Sequence, residues 1–299
     1  MLGGTTIYLF RIIISLWQKK MTRNILLMEG PDSKGLVYHV TKVLYKNDCN
    51  IINQDEYVSP AGQFFMRTEF ESEKKFDAEI VIADLRKRVP NEDVKFRLNP
   101  RKKKDIVILC TKEHHCLSDL LIRYHFEELN ANILAVISNY DSLKPFVDKF
   151  DIPFHHVSHV GLSREDHELE IMKVVNGYQP EYLVLAKYMR ILTPYFVAKF
   201  SNKIVNIHHS FLPAFIGANP YKQAFDRGVK IIGATAHFVN NNLDEGPIIA
   251  QDVKKVDHRF SSKDMSREGK DVEKMVLTKA LKLVFSDRVF IFGNKTIIL

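Results

Sequence analysis

A chain of 299 residues is long enough for one large domain or for two of ordinary size. Apolar residues make up 45% of it and charged residues 26%, which is typical of a soluble globular protein and excludes a disordered or fibrous chain. The formal net charge of +7 is compatible with nucleic acid or with an anionic small substrate, so charge alone does not identify a partner.

Residues 1–20 do not have the pattern of a folded domain. The apolar run 6–17 (TIYLFRIIISLW) is interrupted by Arg11 and is shorter than the roughly 20 residues that span a bilayer. The basic pair Lys19-Lys20 follows this run, whereas a secretory signal carries its basic residues in front. We expect residues 1–20 to be a dispensable extension that is not native, with no membrane partner. An amphipathic membrane anchor is the alternative.

The region after this extension predicts a small α/β domain. Residues 33–48 have apolar side chains at helical spacing, with Asp32 as the expected N-cap, and the buried side is predicted to contain Leu36, Val37, Val40, Val43 and Leu44. A second helix is predicted over 76–88, with Ile80, Ile82 and Leu85 on its buried side. Strands are predicted at 24–30, 49–55, 63–70 and 94–98, with a turn at 60–62. This order is the ferredoxin-like βαββαβ arrangement.

A basic run at 101–104 (RKKK) separates this region from the next one. A solvated linker explains the run as well as a phosphate-binding patch does, and we prefer the linker. Because no basic stripe interleaved with aromatic residues occurs, we expect no nucleic-acid partner.

The period changes beyond residue 104. Apolar strands are predicted at 105–109, 132–138, 154–157 and 182–186, and helices at 116–129, 141–150 and 164–176. Strands that are apolar on both faces and alternate with helices predict a mostly parallel, Rossmann-like sheet that is covered on both sides. Such sheets bind ligands outside the carboxyl ends of their strands.

Several common cofactor sites are missing from the sequence. The strand at 105–109 is followed by CTKEHHC and not by GxGxxG, and neither GxxxxGK[ST] nor HExxH occurs. The three cysteines form no CxxC pair and have no zinc-like spacing with histidine, so we expect reduced thiols in a cytoplasmic protein and no metal. Cys110 ends an apolar run and is predicted to be a buried structural thiol.

The segment 203–251 carries the candidate chemistry. A short strand at 204–205 presents Asn206 and His208, which share a face because they are two residues apart, and the loop NNNLDEGP presents Asp244. The amide can donate to an oxyanion, the imidazole can supply a proton, and the carboxylate can orient the imidazole and accept a proton. His237 is a candidate support for Asp244 or His208. A turn cap at the strand end and an ordinary DEGP turn explain the same spacing, which therefore does not decide between the two interpretations.

Motifs in this segment resemble the formyltransferase-fold family, which includes glycinamide ribonucleotide transformylase, methionyl-tRNA formyltransferase and formyltetrahydrofolate deformylase. They are N-I-H, S-x-L-P, G-x-x-x-x-x-Q-A, T-A-H and D-x-G-P-I-I. The resemblance implies that Asn206, His208 and Asp244 are the catalytic set. It further implies a folate pocket formed by Tyr188, Met189, Arg190, Ile191, Leu192, Asn240 and Asn241, with His237 and His209 behind the catalytic residues.

Within that family the chain is most similar to the formyltetrahydrofolate deformylases. His209 replaces the proline that usually follows the catalytic histidine of the glycinamide ribonucleotide enzyme. The run 217–221 (GANPY) resembles the sequence of the deformylases at this position. The N-terminal motifs GPDSKGL, CNII and GQFFMR resemble an ACT domain, and the ending DRVFIFGNKTIIL also matches. The resemblance covers residues 22–299 and divides them into an ACT-like domain (22–100), a basic linker (101–104) and a formyltransferase-fold catalytic domain (105–299).

The resemblance implies an activity and its rivals. The expected reaction is hydrolysis of 10-formyltetrahydrofolate to formate and tetrahydrofolate, which supplies formate and balances one-carbon folate pools for purine biosynthesis, with no cofactor beyond the folate. We expect the ACT-like domain either to bind an amino-acid effector or simply to form a dimer through its sheet. We also expect the protein to be a homo-oligomer. The rivals are formyl transfer to glycinamide ribonucleotide, which needs a glycine-rich phosphate loop that CTKEHHCLSD lacks, and a non-enzymatic regulator.

Overall fold

The computed structural model describes residues 21–72, 77–100, 102–214 and 220–299. The expectations for the extension 1–20, for Arg101 and for most of the GANPY run lie outside these residues. The chain divides into two compact units, with the boundary between residues 101 and 102. Each unit is described by itself.

The N-terminal unit has the predicted order of elements. Its strands are β1 (Thr22–Pro31), β2 (Asn50–Val58), β3 (Gln63–Ser72) and β4 (Lys95–Pro100), and its helices are α1 (Leu36–Lys46) and α2 (Ala78–Arg88). The strands pair antiparallel in the order β2-β3-β1-β4. The βαββαβ prediction is therefore confirmed, and the apolar side chains of both helices form one core with the sheet.

The start of α1 corrects one detail of the prediction. Leu36, Val40, Val43 and Leu44 are buried as expected, but the helix begins after Gly35 and has no side-chain cap. Gly35 has φ 94°, a left-handed conformation that reverses the chain just before the helix. Asp32 lies before that turn, where its backbone N–H donates to the carbonyl of Gly62 at 2.8 Å. The predicted N-cap role of Asp32 is wrong for this reason.

The rotation of α2 also differs from the prediction. Asp77 is the N-cap and accepts hydrogen bonds from the backbone N–H groups of Glu79 and Ile80, which fixes the first turn. Val81 and Leu85, four residues apart, are then fully buried, whereas Ile80 is 53% exposed. The expected burial of Ile80 is wrong, because the cap sets which side of the helix faces the sheet.

The C-terminal unit is built on a seven-stranded sheet. Its strands are β5 (Lys104–Cys110), β6 (Ala131–Ser138), β7 (Phe154–His156), β8 (Tyr182–Ala186), β9 (Ile204–His208), β10 (Ile231–Phe238) and β11 (Ile248–Lys255). They lie in the order β11-β10-β9-β8-β5-β6-β7. Four neighbouring pairs are parallel, and β9/β10 and β10/β11 are antiparallel, so the mostly parallel sheet is confirmed. A hairpin of β12 (Val289–Phe292) and β13 (Lys295–Ile298) follows the sheet.

Helices pack on both faces of this sheet. The helices of this unit are α3 (His115–His125), α4 (Lys144–Val147), α5 (Arg164–Tyr178), α6 (Pro194–Lys199), α7 (Pro220–Asp226) and α8 (Ser262–Phe285). One face is covered by side chains of α3 and α8, and the other by side chains of α5 and α6. Within the described part of the chain, no helix combines the length and the apolar character that a bilayer span requires.

Two predicted helices are shorter in the structure. The helix predicted over 116–129 ends at His125, and Glu127 then takes a left-handed φ of 58° that reverses the chain. The helix predicted over 141–150 is reduced to α4 and a 3₁₀ turn at Asp148–Phe150. Pro145 lies in the first turn of α4, where a proline starts a helix and cannot continue an earlier one.

The basic run is not a linker throughout. Lys104 is the first residue of β5, is only 4% exposed, and its Nζ lies 2.9 Å from Oδ2 of Asp287. Lys102 and Lys103 are the exposed part of the run and pair with Glu181 and Glu127. The predicted linker therefore ends one residue earlier than expected, because a buried carboxylate draws the ammonium group inside. Cys110, in contrast, is buried as predicted, and burial raises the pKa of its thiol to about 12.

We predict that Val81→Ala destabilises the protein by about 1–3 kcal/mol, because it removes two buried methyl groups and leaves a cavity. Ile80→Ala on the same helix serves as the matched control and should change the free energy of unfolding by less than about 0.5 kcal/mol, because that side chain faces solvent. Urea unfolding of both variants measures the difference. Equal destabilisation, or a larger effect at Ile80, would contradict the observed rotation of α2.

Candidate active site

Three neighbouring strands bring the polar groups of the site together. β9 lies between β8 and β10, and its last residues include Asn206 and His208. In the antiparallel pair with β10, Asn206 stands opposite His237. The turn after β10 carries Asp244. Asn206, His208 and Asp244 thus meet at one edge of the sheet, as the sequence predicted.

The hydrogen bonds at this edge fix the orientation of each group. Nδ1 of His208 lies 3.2 Å from Oδ1 of Asp244. Nδ1 of His237 donates to the carbonyl of Phe238 at 2.9 Å, so its Nε2 carries the lone pair that accepts from Nδ2 of Asn206 at 3.2 Å. The second N–H of the Asn206 amide stays available for a ligand. His237 therefore supports Asn206 directly, and its Nε2 lies 3.8 Å from Oδ1 of Asp244.

His208 has a second ring nitrogen, Nε2, which Asp244 does not contact. His208 is buried, and its Nε2 has no hydrogen-bond partner among the residues that the structure describes. A buried polar atom without a partner is rare in folded proteins and calls for an explanation, of which a catalytic role is one. Asp244 holds the other nitrogen of the same ring. Burial raises the pKa of Asp244, but the hydrogen bond from His208 and the charge of that ring outweigh it, so the pKa is lower than its ordinary value.

A close backbone approach places Asp244 against His208. A Cβ atom on Gly246 would lie 1.7 Å from the carbonyl oxygen of Phe238, a distance that no side chain tolerates. The backbone N–H of Phe238 donates to the carbonyl of Pro247 at 2.9 Å, which closes the turn. Asp244 has φ 58°, a left-handed conformation that aspartate tolerates better than most residues. Gly246 is therefore required for the turn to fold back onto β10.

A cavity of about 750 Å³ extends from these groups, and every predicted folate-binding residue lines it. Two loops line it: residues 188–192 and residues 240–244. The first loop is irregular and is not the start of a helix, since α6 begins at Pro194. It is anchored by the carboxylate of Glu168, which accepts from the backbone N–H of Thr193 at 2.8 Å and from its hydroxyl group. Met189 and Ile191 remain exposed next to the cavity.

The cavity also contains a group of polar residues that the sequence did not indicate, here called the Glu273 cluster: Glu273, Lys187, His115 and Tyr221. The carboxylate of Glu273 accepts hydrogen bonds from Tyr221 Oη at 2.6 Å and from His115 Nε2 at 2.8 Å, and lies 3.2 Å from Lys187 Nζ. Glu273 is in the middle of α8, Lys187 follows β8, and His115 begins α3. No local spacing links these positions, so only the folded chain shows that they meet.

Two members of this cluster, His115 and Glu273, form with the neighbouring Cys116 a group that has the composition of a metal site. Ligand atoms of His115, Cys116 and Glu273 lie within 4.8 Å of one another. Burial and the charge of Glu273 raise the pKa of the Cys116 thiol well above its ordinary value, so the thiolate that a metal ion needs is disfavoured. The carboxylate of Glu273 is already held by Lys187 and Tyr221. These contacts favour a hydrogen-bonded cluster over a metal centre.

His209 lies between the catalytic pair and the Glu273 cluster. Its ring centroid is 5.1 Å from that of His208 and 6.2 Å from that of Tyr221. Burial, together with the nearby charge of Lys187, lowers its pKa to about 4, so the ring is neutral near pH 7. His209 is thus a partly buried, neutral side chain that lines the cavity.

The comparisons with known proteins identify the family of the chain. Residues 104–281 match the family described as Formyl transferase, which places the C-terminal unit in that class of protein. A formyltetrahydrofolate deformylase of Escherichia coli is 55% identical over 283 residues, which is 94% of this chain and 99% of that protein. The crystal structure of a formyltetrahydrofolate deformylase from Pseudomonas syringae is 38% identical and superimposes with a TM-score of 0.89 over 98% of this chain and 99% of that one. The chain therefore belongs to the formyltetrahydrofolate deformylase family.

A more distant likeness covers about two thirds of the chain. The glycinamide ribonucleotide transformylase of Symbiobacterium toebii is 28% identical and has a TM-score of 0.63. The match covers 66% of this chain and 94% of that one.

We predict that His208→Leu raises the pKa of Asp244, because the substitution removes the hydrogen bond and the charge that oppose the effect of burial. A carboxyl-carbon NMR titration measures the shift. Asp257, whose pKa is lowered to about 2 by Arg259, is the internal control and should not change. An unchanged pKa at Asp244 would show that His208 does not hold the carboxylate.

The same shift has a consequence for stability. Because the folded-state pKa of Asp244 is depressed, its ionised carboxylate stabilises the folded protein above the unfolded-state pKa. This stabilisation is lost as the pH falls through the folded-state pKa. His208→Leu should therefore reduce the loss of folding stability at acidic pH, which acid unfolding of the two proteins measures.

Proposed function

We propose that this protein hydrolyses 10-formyltetrahydrofolate to formate and tetrahydrofolate. The observation that carries the proposal is the arrangement of Asn206, His208 and Asp244 around one cavity, with an unused amide N–H and an unpartnered imidazole nitrogen available to a carbonyl oxygen. Relatives that match nearly the whole chain are named formyltetrahydrofolate deformylases. The formate released would supply purine biosynthesis and balance the one-carbon folate pools.

The first step is attack of water on the formyl carbon. A bond forms from the water oxygen to that carbon, and the carbonyl electrons move to its oxygen. The free N–H of Asn206 and Nε2–H of His208, in the form of the ring that carries both protons, donate to this oxyanion. Asp244, held beside Nδ1 of His208, accepts the proton from water.

The second step breaks the bond between the formyl carbon and the folate nitrogen. The oxyanion electrons return to the carbonyl, and the pair of the broken bond goes to nitrogen. The proton that Asp244 accepted passes to that nitrogen, so tetrahydrofolate and formic acid leave, and the acid releases its remaining proton to the solvent to give formate. Because Asp244 exchanges protons on both steps, its ionised state in the free site is the state that starts the cycle.

The loops 188–192 and 240–244 form the folate pocket in this proposal. The exposed apolar side chains of Met189 and Ile191 can cover an aromatic ring, and Arg190 supplies a positive charge for the carboxylates of the folate. Asn240 and Asn241 offer amide groups at the other rim. No step needs a metal ion or a further cofactor, because the oxyanion donors and the proton acceptor are side chains.

The rival function is formyl transfer to an amine, and the two separate in a simple assay. We expect the purified protein to release formate and tetrahydrofolate from 10-formyltetrahydrofolate with no amine present, and to do so equally after treatment with a chelator. Formate and tetrahydrofolate are both quantified. Turnover that requires added glycinamide ribonucleotide would contradict the proposal, and loss of activity on chelation would contradict the metal-free mechanism.

The roles of the catalytic side chains predict distinct losses. Asn206→Ala should lower kcat by about 10²–10³-fold, because one oxyanion donor is removed. Asp244→Asn should lower kcat by roughly 10²–10⁴-fold, because the proton acceptor is lost. Asp252→Asn, an exposed carboxylate on β11, is the matched control and should keep wild-type kinetics. Wild-type formate release by Asp244→Asn would remove Asp244 from the mechanism.

For the N-terminal unit we propose an ACT-type regulatory and oligomerisation role. The βαββαβ order supports this assignment, and the edge strand β2 exposes Ile52, Tyr57 and Val58, which a second copy can cover. The start of α1 has no side-chain cap, so its backbone N–H groups can receive the carboxylate of an amino acid. Light scattering and calorimetric titration of the full chain with free amino acids test both parts. A monomer that binds no amino acid would contradict them.

A further inference from the structure

The cavity of the site continues over the edge of the sheet, from one face to the other. Tyr188 and Leu192, beside the proposed folate pocket, pack on the face that α5 and α6 cover. The elements that carry His115 and Glu273, α3 and α8, cover the opposite face. The proposed mechanism uses the first side and the sheet edge, and leaves the Glu273 cluster without a role.

The Glu273 cluster is a closed set of charges and hydrogen bonds. Glu273 is 1% exposed, and its carboxylate is surrounded by Tyr221 Oη at 2.6 Å, His115 Nε2 at 2.8 Å and Lys187 Nζ at 3.2 Å. Burial opposes its ionisation, but these three groups outweigh burial and lower the pKa of Glu273 to about 2. Breaking a buried cluster of this kind leaves an uncompensated charge, which is strongly unfavourable.

Tyr221 is fixed by packing as well as by its hydroxyl group. A Cβ atom on Gly269 would lie 2.1 Å from the Tyr221 ring, so the ring rests directly on the backbone of α8. Gly269 has no other backbone reason to be glycine, since its φ is not in the left-handed region. The ring therefore forms a rigid part of the cavity wall on the α8 side.

A second carboxylate lines this wall. Oε2 of Glu113 lies 2.7 Å from Nζ of Lys270 and 3.6 Å from Nδ1 of His115. Glu113 follows β5, where a transferase that binds a phosphorylated acceptor needs backbone N–H groups for the phosphate. Here the side chains of Glu113 and Glu273, with their partners Lys270 and Lys187, line this part of the wall.

The ring of His209 is close both to this wall and to the catalytic His208. The ring of His209 lies between His208 and Tyr221, with centroid distances of 5.1 Å and 6.2 Å. Lys187 follows β8, the strand next to β9, so its ammonium group enters the cavity beside the strand that carries His208. An amine with a large substituent needs room at the wall that these side chains form. Water does not.

We propose that the Glu273 cluster is the acceptor-side wall of the reaction centre and restricts the formyl acceptor to water. Glu273 is a positioning residue: it holds Lys187 and Tyr221 in place and does not touch the reacting atoms. This inference rests on the proposed hydrolysis, because it explains which acceptor the site admits and not how the formyl group is activated.

The test measures how the formyl group divides between water and an amine. The full chain is incubated with 10-formyltetrahydrofolate and excess glycinamide ribonucleotide, and the ratio of formylated amine to formate is determined. This ratio does not depend on the fraction of folded protein, so a purely structural defect leaves it unchanged. The variants are Glu273→Gln, which keeps the shape and removes the charge, and Tyr221→Ala, which opens the wall. Asp271→Asn, exposed on the same helix, is the control.

The wild type and Asp271→Asn should give formate only. Tyr221→Ala should raise the share of formylated amine by at least about tenfold over background, and Glu273→Gln should lower kcat by about tenfold with KM for the folate within about twofold. Formate only and wild-type kcat in both variants would overturn the inference and leave the hydrolysis standing. Absence of formate from the wild type without amine would instead overturn the proposed function.

A binding measurement is independent of catalysis. Glycinamide ribonucleotide is titrated calorimetrically into wild-type protein saturated with tetrahydrofolate, and no binding is expected. Binding to the wild type would overturn the inference whether or not the protein hydrolyses its substrate.

Discussion

The site depends on the contact between Asp244 and His208, which joins the turn after β10 to the end of β9. Their hydrogen bond, at 3.2 Å between Nδ1 and Oδ1, keeps a half-buried carboxylate ionised and fixes the imidazole, whose Nε2 has no partner in the described part of the chain. The contact requires glycine at position 246, because any side chain there would prevent the turn from approaching the Phe238 carbonyl. The geometry of the reaction centre is therefore set by backbone packing, and its charge state by the pair itself.

A second constraint comes from the sheet. β9 lies between β8 and β10, so its edge presents Asn206 and His208 with His237 on one side and Lys187 on the other. His237, neutral because burial lowers its pKa, orders the amide of Asn206. Lys187 is held by Glu273. The two neighbours act differently: one prepares the oxyanion donor, and the other belongs to the wall that faces the acceptor.

Much of the fold and the position of the central residues could be predicted from the sequence, because both rest on local patterns. Asn206 and His208 are two residues apart on a strand, and the loop after the next strand carries Asp244 in a glycine turn. The spacing did not separate a catalytic site from an ordinary turn, so the catalytic role of these residues came from the resemblance to the family. The order of the elements in the N-terminal unit followed from periodicity. The wrong details, the N-cap at Asp32 and the burial of Ile80, depend on where a turn or a cap sets the start of a helix.

The features that the sequence could not give are long-range contacts between ordinary residues. Lys104 looks like part of a linker until Asp287, far along the chain, draws it inside. Glu273, Lys187, His115 and Tyr221 come from four separate elements, and each alone fits a solvated surface position. Only the folded chain brings them into one cavity with the catalytic residues.

The central claim is that water is the formyl acceptor at the Asn206, His208 and Asp244 site. It is tested most directly by running the reaction in water enriched with oxygen-18, without any amine, and analysing the formate by mass spectrometry. The account predicts formate that carries one labelled oxygen from the attacking water and one unlabelled oxygen from the formyl group. Unlabelled formate, or no formate until an amine is supplied, would contradict it.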